Sequence, residues 1–151
     1  MQTQIVAAIP SDHFRLSEIA FAAKAYWAYP PELLEQWKPN LTIAPAYIRQ
    51  NQLFKVINAE TQILGFVALE KATPNLHLEH CWVDPTYIGQ GLGRALLTKV
   101  FEVASAQSAL KVTVVSDPYA TTFYEKFGFI KTGEIESTPK GRFLPEMEKI
   151  L

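Results

Sequence analysis

Residues 76–99, LHLEHCWVDPTYIGQGLGRALLTK, decide the fold of this 151-residue chain. Residues 76–83 have the composition of a β-strand, and a proline-containing connection and three glycines at alternate positions follow them. Beyond the glycines, apolar residues recur at helical spacing. A strand that delivers a glycine-rich loop to a helix N-terminus suits an anion, because backbone N–H groups can approach a phosphate and the helix dipole favours negative charge. We therefore predict a phosphate-bearing cofactor at this loop.

Three kinds of phosphate site compete for the loop Gly89-Gln90-Gly91-Leu92-Gly93. A Walker-type loop ends in Gly-Lys-Ser/Thr, whereas Arg94 and Ala95 follow here. A dinucleotide fingerprint requires a third glycine where Arg94 stands and an acidic residue on the next strand, residues 111–115, which has none. The third candidate ligand is the pyrophosphate of an acyl-CoA. The glycines alone do not choose among the three.

The bulk composition predicts one mixed α/β domain, residues 1–151, large enough to bury a core without disulfides or metals. A formal net charge of -1 gives no electrostatic reason to expect nucleic acid or an anionic membrane as partner. Cys81 is the only cysteine, so neither an internal disulfide nor a multi-cysteine metal site is expected. Residues 1–9 lack the pattern of a secretory signal, and no stretch suits a bilayer. We expect a cytoplasmic monomer or homodimer without a metal.

The periodicity of the apolar residues divides the chain into a mainly helical part, residues 1–52, and a strand-rich part, residues 53–151. The predicted helices are residues 14–27, 32–37, 46–50, 91–107 and 119–127, the last closed by Gly128. The predicted strands are residues 4–9, 53–58, 63–69, 76–83, 111–115, 129–136 and 142–151. Pro145 predicts that the last strand lies at a sheet edge or carries a bulge.

Two segments resemble the conserved motifs of the GNAT superfamily of N-acetyltransferases. VDPTYIGQGLGRALL resembles motif A, which has Arg/Gln-x-x-Gly-x-Gly/Ala after a Val-x-Pro strand end, and DPYATTFYEKFGFIKTGE resembles motif B. Gly91 and Gly93 keep the small positions of motif A, whereas Ile88 stands at its Arg/Gln position. The resemblance implies an α/β (α+β) fold with a mixed, mostly antiparallel sheet of about six to seven strands. About four helices flank this sheet, which is splayed between its fourth and fifth strands.

The resemblance also implies an acetyl-CoA site. The pantetheine arm lies between the splayed strands and pairs with the backbone of Trp82 and Val83, and backbone amides of the glycine loop hold the pyrophosphate. Asp117 stands at the Asn/Asp position of motif B, where it either contacts the cofactor or caps a helix. The residues expected at the cofactor are Trp82, Val83, Ile88, Gly89, Gln90, Gly91, Leu92, Gly93, Arg94, Asp117, Ala120 and Phe123.

Direct transfer of an acetyl group to a primary amine requires a base for the amine proton and an acid for the departing thiolate. The resemblance implies that Tyr124, at the Phe-Tyr position of motif B, is the acid. Strand alternation places His77 and Glu79 on one face, and either of them, or a water chain, is expected to take the proton. His80 and Cys81 are expected to be structural.

Aromatic residues near the end of the first predicted helix are candidates for the acceptor site. Tyr26, Trp27 and Tyr29 either wall the pocket of the amine, which belongs to a small molecule, a protein or a peptide, or staple two helices together. Two alternative functions keep the fold: a non-catalytic acyl-CoA-binding sensor, and an acyltransferase that uses another acyl group or an oxygen acceptor. Tyr124 and the two candidate bases favour catalysis.

Overall fold

A computed structural model describes all 151 residues, which form seven β-strands and five α-helices. The strands are β1 (Thr3–Ala7), β2 (Gln52–Asn58), β3 (Ile63–Ala72), β4 (Asn75–Val83), β5 (Lys111–Val115), β6 (Ile130–Glu136) and β7 (Phe143–Ile150). The helices are α1 (His13–Ala25), α2 (Pro31–Leu41), α3 (Pro45–Gln50), α4 (Leu92–Ala106) and α5 (Thr121–Lys126). None of these helices combines the length and the apolar composition that a bilayer crossing requires.

The strands form one mixed sheet in the order β1-β2-β3-β4-β5-β7-β6. The pairs β1–β2, β2–β3, β5–β7 and β6–β7 are antiparallel, whereas β4 and β5 are parallel. The parallel ladder runs only from Leu76↔Val112 to Leu78↔Val114, although β4 continues to Val83. This short ladder confirms the predicted mixed, mostly antiparallel sheet that is splayed between its fourth and fifth strands. Five α-helices are present where about four were expected.

Packing groups the chain into two compact units. Unit 1 comprises Met1–Leu69 and His80–Val100, and unit 2 comprises Glu70–Glu79 and Phe101–Leu151. In unit 1, the buried residues of α1 recur at helical spacing and therefore lie on one face of the helix. One buried cluster in the core of unit 1 consists of Leu16, Ile19, Ala20, Trp37, Leu41, Ile43, Ile48, Leu53, Phe66 and Ala68.

In unit 2, α5 ends in the turn that the sequence predicts. Gly128 adopts a φ of 91°, a left-handed conformation that favours glycine. The N–H of Phe129 then donates to the carbonyl of Tyr124 at 3.2 Å, which satisfies one of the free carbonyls at the helix end. The rings of Tyr124 and Phe129 pack edge to face, 5.4 Å apart. The predicted C-terminal cap is therefore confirmed, and it places the Tyr124 ring within an aromatic core.

Helix α2 extends four residues beyond the predicted end at Trp37. Pro39 lies inside its last turn, where it removes the N–H that would otherwise donate to a carbonyl one turn earlier. Trp37 and Leu41, one turn apart on the same helical face, are both buried in the core of unit 1. Burial of this face outweighs the unfavourable proline.

The prediction of an edge position for the last strand is wrong. β7 lies between β5 and β6, and β6 forms the edge of the sheet. The carbonyl of Pro145 accepts from the N–H of Ser116 at 2.8 Å, so the ring nitrogen of Pro145 also faces the side of β5. This nitrogen lies one position beyond Val115, the last residue of β5, so the β5–β7 pairing loses no N–H donor. A register shift does occur nearby, in β6 between Lys131 and Gly133.

Candidate active site

The two candidate bases on β4 form one hydrogen-bonded chain with a residue of β5. His77 Nε2 lies 3.0 Å from Glu79 Oε2, and His77 Nδ1 lies 2.8 Å from Thr113 Oγ1. His77 and Glu79 share a face, whereas Leu76 and Leu78, which alternate with them along β4, are buried. Thr113 was missed by the sequence analysis, because it is found only through the register, which places it directly opposite His77.

This chain restricts where the proton of His77 lies. An ionised carboxylate only accepts hydrogen bonds, so Glu79 requires a proton on Nε2 of His77. In the neutral imidazole, Nδ1 then accepts from the hydroxyl of Thr113. Glu79 is exposed and His77 is half-buried. The arrangement offers a carboxylate that a histidine orients from one side, which suits the removal of a proton from an amine.

The opposite face of β4, in unit 1, carries an aromatic cluster. Trp82 Nε1 donates to Nδ1 of His80 at 2.9 Å, so the neutral His80 ring carries its proton on Nε2. The His80 ring lies 6.1 Å, centre to centre, from the rings of Tyr47 and Phe66. His80 is thus packed among aromatic residues, as expected of a structural residue.

The glycine loop of unit 1 adopts a conformation that requires its glycines. Gly89 and Gly91 have φ values of 85° and 78°, in the left-handed region where side chains are strained. A Cβ atom at either position would contact nothing within 4 Å, so the backbone conformation and not crowding demands glycine. α4 begins directly after Gly91, at Leu92, and Arg94 lies exposed in its first turn. The loop therefore has left-handed residues directly before a helix N-terminus, an arrangement in which backbone N–H groups can bind an anion.

The start of this loop is fixed by Asp84. Its carboxylate accepts from Arg15 of α1 at 2.7 Å and from the backbone N–H of Thr86 at 3.0 Å. Arg15 also donates to the carbonyl of Ile63 at 3.0 Å. Burial alone would raise the pKa of the Asp84 carboxyl, but the hydrogen bonds from Arg15 and Thr86 and the Arg15 charge hold that pKa below its usual value. Burial alone would lower the pKa of Arg15, but the hydrogen bonds to Asp84 and Glu18 and their negative charges hold that pKa above its usual value.

Motif B lies in unit 2 and begins with a cap. Asp117 accepts from the N–H of Tyr119 at 2.9 Å, and its other carboxylate oxygen lies 3.6 Å from Arg142. It thus caps the short turn Pro118–Ala120 that leads into α5. Tyr124, in α5, is 6% exposed, and its ring contacts Phe123 at 5.2 Å. The capping role that the sequence offered for Asp117 is present.

The aromatic residues after α1 form two groups, both in unit 1. Tyr26 and Trp27 pack edge to face with ring centres 5.4 Å apart, and Tyr26 is exposed. The ammonium of Lys24 lies 5.1 Å from the Tyr29 ring centre and 4.8 Å from that of Trp37, and Lys24 is only 8% exposed. Tyr29 thus staples α1 to α2 through a buried lysine, which the sequence analysis missed because the turn between the helices sets this contact.

The predicted site residues are therefore distributed between the units. Unit 1 holds Trp82, Val83, the glycine loop, Arg94 and the aromatic residues after α1, whereas unit 2 holds His77, Glu79 and motif B. No group of three or more His, Cys, Asp or Glu side chains is placed to hold a metal ion. Among them, His77 and Glu79 are joined by a hydrogen bond, and the rings of Tyr26 and Trp27 and of Phe123 and Tyr124 are in contact.

Comparisons with known proteins assign the class. The acetyltransferase (GNAT) domain model matches residues 28–151. A glucosamine 6-phosphate N-acetyltransferase from Trypanosoma brucei brucei is 42% identical over 53 residues, which cover 35% of this chain and 36% of that enzyme. The chain thus matches about a third of the length of this curated relative.

Solved structures share the fold. The PaiA N-acetyltransferase of Thermoplasma acidophilum, in complex with coenzyme A, superimposes with a TM-score of 0.82 over 100% of both chains at 20% identity. An acetyltransferase from Bacillus cereus superimposes with a TM-score of 0.62 over 67% of this chain and 73% of that chain, at 29% identity. The fold and these matches are those of the acyltransferase class. Within that class, the chain belongs to the GNAT acetyltransferase family.

Lys24→Met is expected to lower the free energy of unfolding by about 1–2 kcal/mol, because it keeps the apolar stem and removes only the ammonium that contacts two rings. Lys24→Arg retains a cation and is expected to lose less. Urea unfolding monitored by Trp fluorescence measures the change. Lys38→Met is the control, since Lys38 is exposed and lies 5.8 Å from a single ring, that of Phe21. Equal stability of Lys24→Met and the parent protein would contradict a stabilising role of the buried cation.

The ion pair of Asp84 is expected to make stability depend on pH. Because the pKa of Asp84 is lower in the folded than in the unfolded chain, its contribution is complete above the unfolded pKa of about 3.9 and is lost as the pH falls through the folded pKa. Asp84→Asn is expected to lower Tm at pH 7 by about 2–4 °C, which corresponds to about 1 kcal/mol for a partly exposed pair. Calorimetry from pH 7 to pH 2 measures whether this gap closes.

Glu18→Gln serves as the control for Asp84→Asn, because Glu18 also pairs with Arg15 but is 55% exposed at its side chain. It is expected to change Tm by less than Asp84→Asn does. A gap between Asp84→Asn and the parent protein that stays constant down to pH 2 would show that the carboxylate charge of Asp84 is not the cause.

Proposed function

We propose that this chain is an acetyl-CoA-dependent N-acetyltransferase that transfers the acetyl group directly to a primary amine within a ternary complex. The observation that carries the proposal is the glycine loop, with Gly89 and Gly91 in left-handed conformation immediately before α4. Family membership supports the transfer chemistry, and the coenzyme A bound by the Thermoplasma acidophilum relative supports the cofactor.

In this proposal the backbone of residues 88–94 binds the pyrophosphate. N–H groups at a helix N-terminus bind phosphate whatever the side chain, so Ile88 at the Arg/Gln position of motif A leaves this binding intact. Arg94 adds a positive charge in the first turn of α4. The backbone of Trp82 and Val83 pairs with the pantetheine arm.

Motif B supplies the remaining cofactor contacts of the proposal, through Asp117, Ala120 and Phe123. Asp117 and Ala120 lie at the two ends of one short turn, because Asp117 caps Pro118–Ala120. Phe123 follows in α5, where its ring packs on those of Tyr124 and Phe127. A rigid turn followed by packed aromatic rings would fix these contacts without a large loss of side-chain entropy on binding.

The chain from Glu79 to Thr113 supports Glu79 as the base that takes the proton of the amine. His77 holds the carboxylate of Glu79 at 3.0 Å, and Thr113 holds His77 at 2.8 Å. The deprotonated amine nitrogen then attacks the carbonyl carbon of the thioester, the C–N bond forms, and the C–S bond breaks. His77 has a positioning role here.

Tyr124 is the proposed acid, which protonates the departing thiolate of coenzyme A. A tyrosine phenol is a hydrogen-bond donor that can supply the required proton. The Tyr124 ring is fixed by Phe123 and Phe129, and this packing limits the directions in which the hydroxyl can point. A fixed donor suits a proton transfer that must occur as the C–S bond breaks.

The acceptor side of the proposal rests on Tyr26, Trp27 and Tyr29, within the helical residues 1–52. The exposed Tyr26 and its edge-to-face partner Trp27 are the more direct candidates for contact with the acceptor. Tyr29 contributes by fixing the turn through Lys24 and Trp37. The amine belongs to a small molecule or to a protein or peptide.

Binding and turnover together test the proposed function. Acetyl-CoA is expected to raise Tm, whereas NAD and ATP are not, because only ligands that bind the folded state stabilise it. Release of free thiol is then measured with acetyl-CoA over a panel of amines that includes glucosamine 6-phosphate, a polyamine and a lysine-containing peptide. Stabilisation by NAD alone would contradict the cofactor assignment. Binding of acetyl-CoA without turnover would favour an acyl-CoA sensor, and turnover only with propionyl-CoA or with alcohols would favour another acyl transfer.

Tyr124→Phe and Glu79→Gln are expected to lower kcat by about 10²-fold each, because each removes a proton-transfer group and keeps most of the side-chain shape. The Kd for acetyl-CoA is expected to change less than about threefold. Steady-state thiol release and calorimetric titration measure the two quantities. Tyr119→Phe is the matched control, since Tyr119 is exposed and lies in the turn before α5. An unchanged kcat of Tyr124→Phe would show that another group is the acid.

A further inference from the structure

β6 is an exposed edge strand that carries apolar side chains. It pairs with β7 alone, and six of its seven residues are exposed. Ile130 is 57% exposed and Ile135 is 47% exposed. Between them lie two charged residues, Lys131 and Glu134, whose side chains are about half exposed and only 2.6 Å apart. An apolar edge strand is a template on which another strand can pair.

The register shift in β6 gives these four residues a symmetric arrangement. Ile130 lies opposite Glu148 and Ile135 opposite Leu144, two residues of β7 that share one face of the sheet. Lys131 and Glu134 lie opposite Met147 and Pro145, which share the other face. In a regular strand, residues five apart would point to opposite faces. Because of the shift between Lys131 and Gly133, the two isoleucines lie on one face and the two charged residues on the other. The order of these four residues, apolar, charged, charged, apolar, is the same in either direction along the strand.

The backbone groups on the free side of β6 follow the same symmetry. The N–H of Ser137 donates to the carbonyl of Arg142 on the β7 side, so by alternation the peptide groups of Glu134 point to the free side. Lys131 lies opposite Met147, whose peptide groups face β5, like those of Pro145. The peptide groups of Lys131 are therefore also free to pair. Lys131 and Glu134 thus face outward, as Glu136 does by the same alternation, and all three are charged.

We propose that β6 pairs in antiparallel orientation with β6 of a second copy of this chain, about a two-fold axis between Thr132 and Gly133. Lys131 then lies opposite Glu134 of the second copy, and the two exchange backbone hydrogen bonds. Ile130 lies opposite Ile135 of the second copy on the other face. Each apolar residue meets an apolar residue and each lysine a glutamate, so the pairing is self-complementary.

The charges make this pairing selective. Charged residues on an edge strand oppose pairing with an unrelated strand. Here Lys131 and Glu134 disfavour pairing with other partners or in other registers. In the proposed register, each of them lies opposite the opposite charge of the second copy. A single strand pair buries less than the roughly 1,200 Å² of a stable interface, so the dimer is weak, with a Kd on the order of 10 μM.

Charge reversal tests the proposal in the full-length protein. Sedimentation velocity from about 1 μM to 1 mM is expected to show a concentration-dependent dimer of the parent chain. Lys131→Glu places four carboxylates at the two-fold axis, Glu134→Lys places four ammonium groups there, and each is expected to weaken dimerisation at least tenfold. The double variant Lys131→Glu/Glu134→Lys is expected to dimerise like the parent.

A mixture of the two single variants gives the sharpest measurement. Lys131→Glu of one copy and Glu134→Lys of the other form complementary pairs, so the mixture is expected to contain a heterodimer that neither variant forms with itself. Both positions are solvent-exposed, so thermal unfolding and acetyl transfer are expected to stay unchanged in either variant. A parent chain that remains monomeric at 1 mM would overturn the proposal. So would a dimer that persists in both single variants, or a mixture that forms no heterodimer.

Discussion

Asp84, which lies between the end of β4 and the glycine loop, connects three parts of unit 1 through its carboxylate and its backbone N–H. One oxygen accepts from Arg15 of α1, the other accepts from the N–H of Thr86, and the backbone N–H of Asp84 donates to the carbonyl of Leu64 in β3. The loop is thus anchored at its first residue before any ligand arrives. Gly89 and Gly91 can then adopt left-handed conformations at little cost. A site formed in advance loses less entropy when an anion binds.

Most of the fold could be predicted from the sequence because the deciding signals are local. The alternation along β4, the glycines before α4 and Gly128 at the end of α5 each act within a few residues, and the structure confirms all three. The fold-level prediction also benefits from two motifs in the correct order. These features need no knowledge of which strands become neighbours.

Other features depend on register and on helix packing, which a single sequence does not reveal. Thr113 becomes a partner of His77 only because β5 pairs with β4 at that position. Lys24 is held between Tyr29 and Trp37 because the turn after α1 brings the second helix back. The edge position expected for β7 from Pro145 is wrong for a similar reason. The neighbouring strand β5 ends at Val115, just before the position opposite Pro145, so β5 does not need an N–H donor there. Local propensity was read correctly, but the neighbour was unknown.

Pro145 also determines where β5 stops. In the next position of the ladder, the N–H of Ser116 donates to the carbonyl of Pro145, but the tertiary amide nitrogen of Pro145 has no proton to donate to the carbonyl of Ser116. The strand therefore ends at Val115, and Asp117 can cap the turn that leads to Tyr124. A proline in one strand thus limits the length of the neighbouring strand. In this way, a residue near the end of the chain sets the point in the sequence where motif B leaves the sheet.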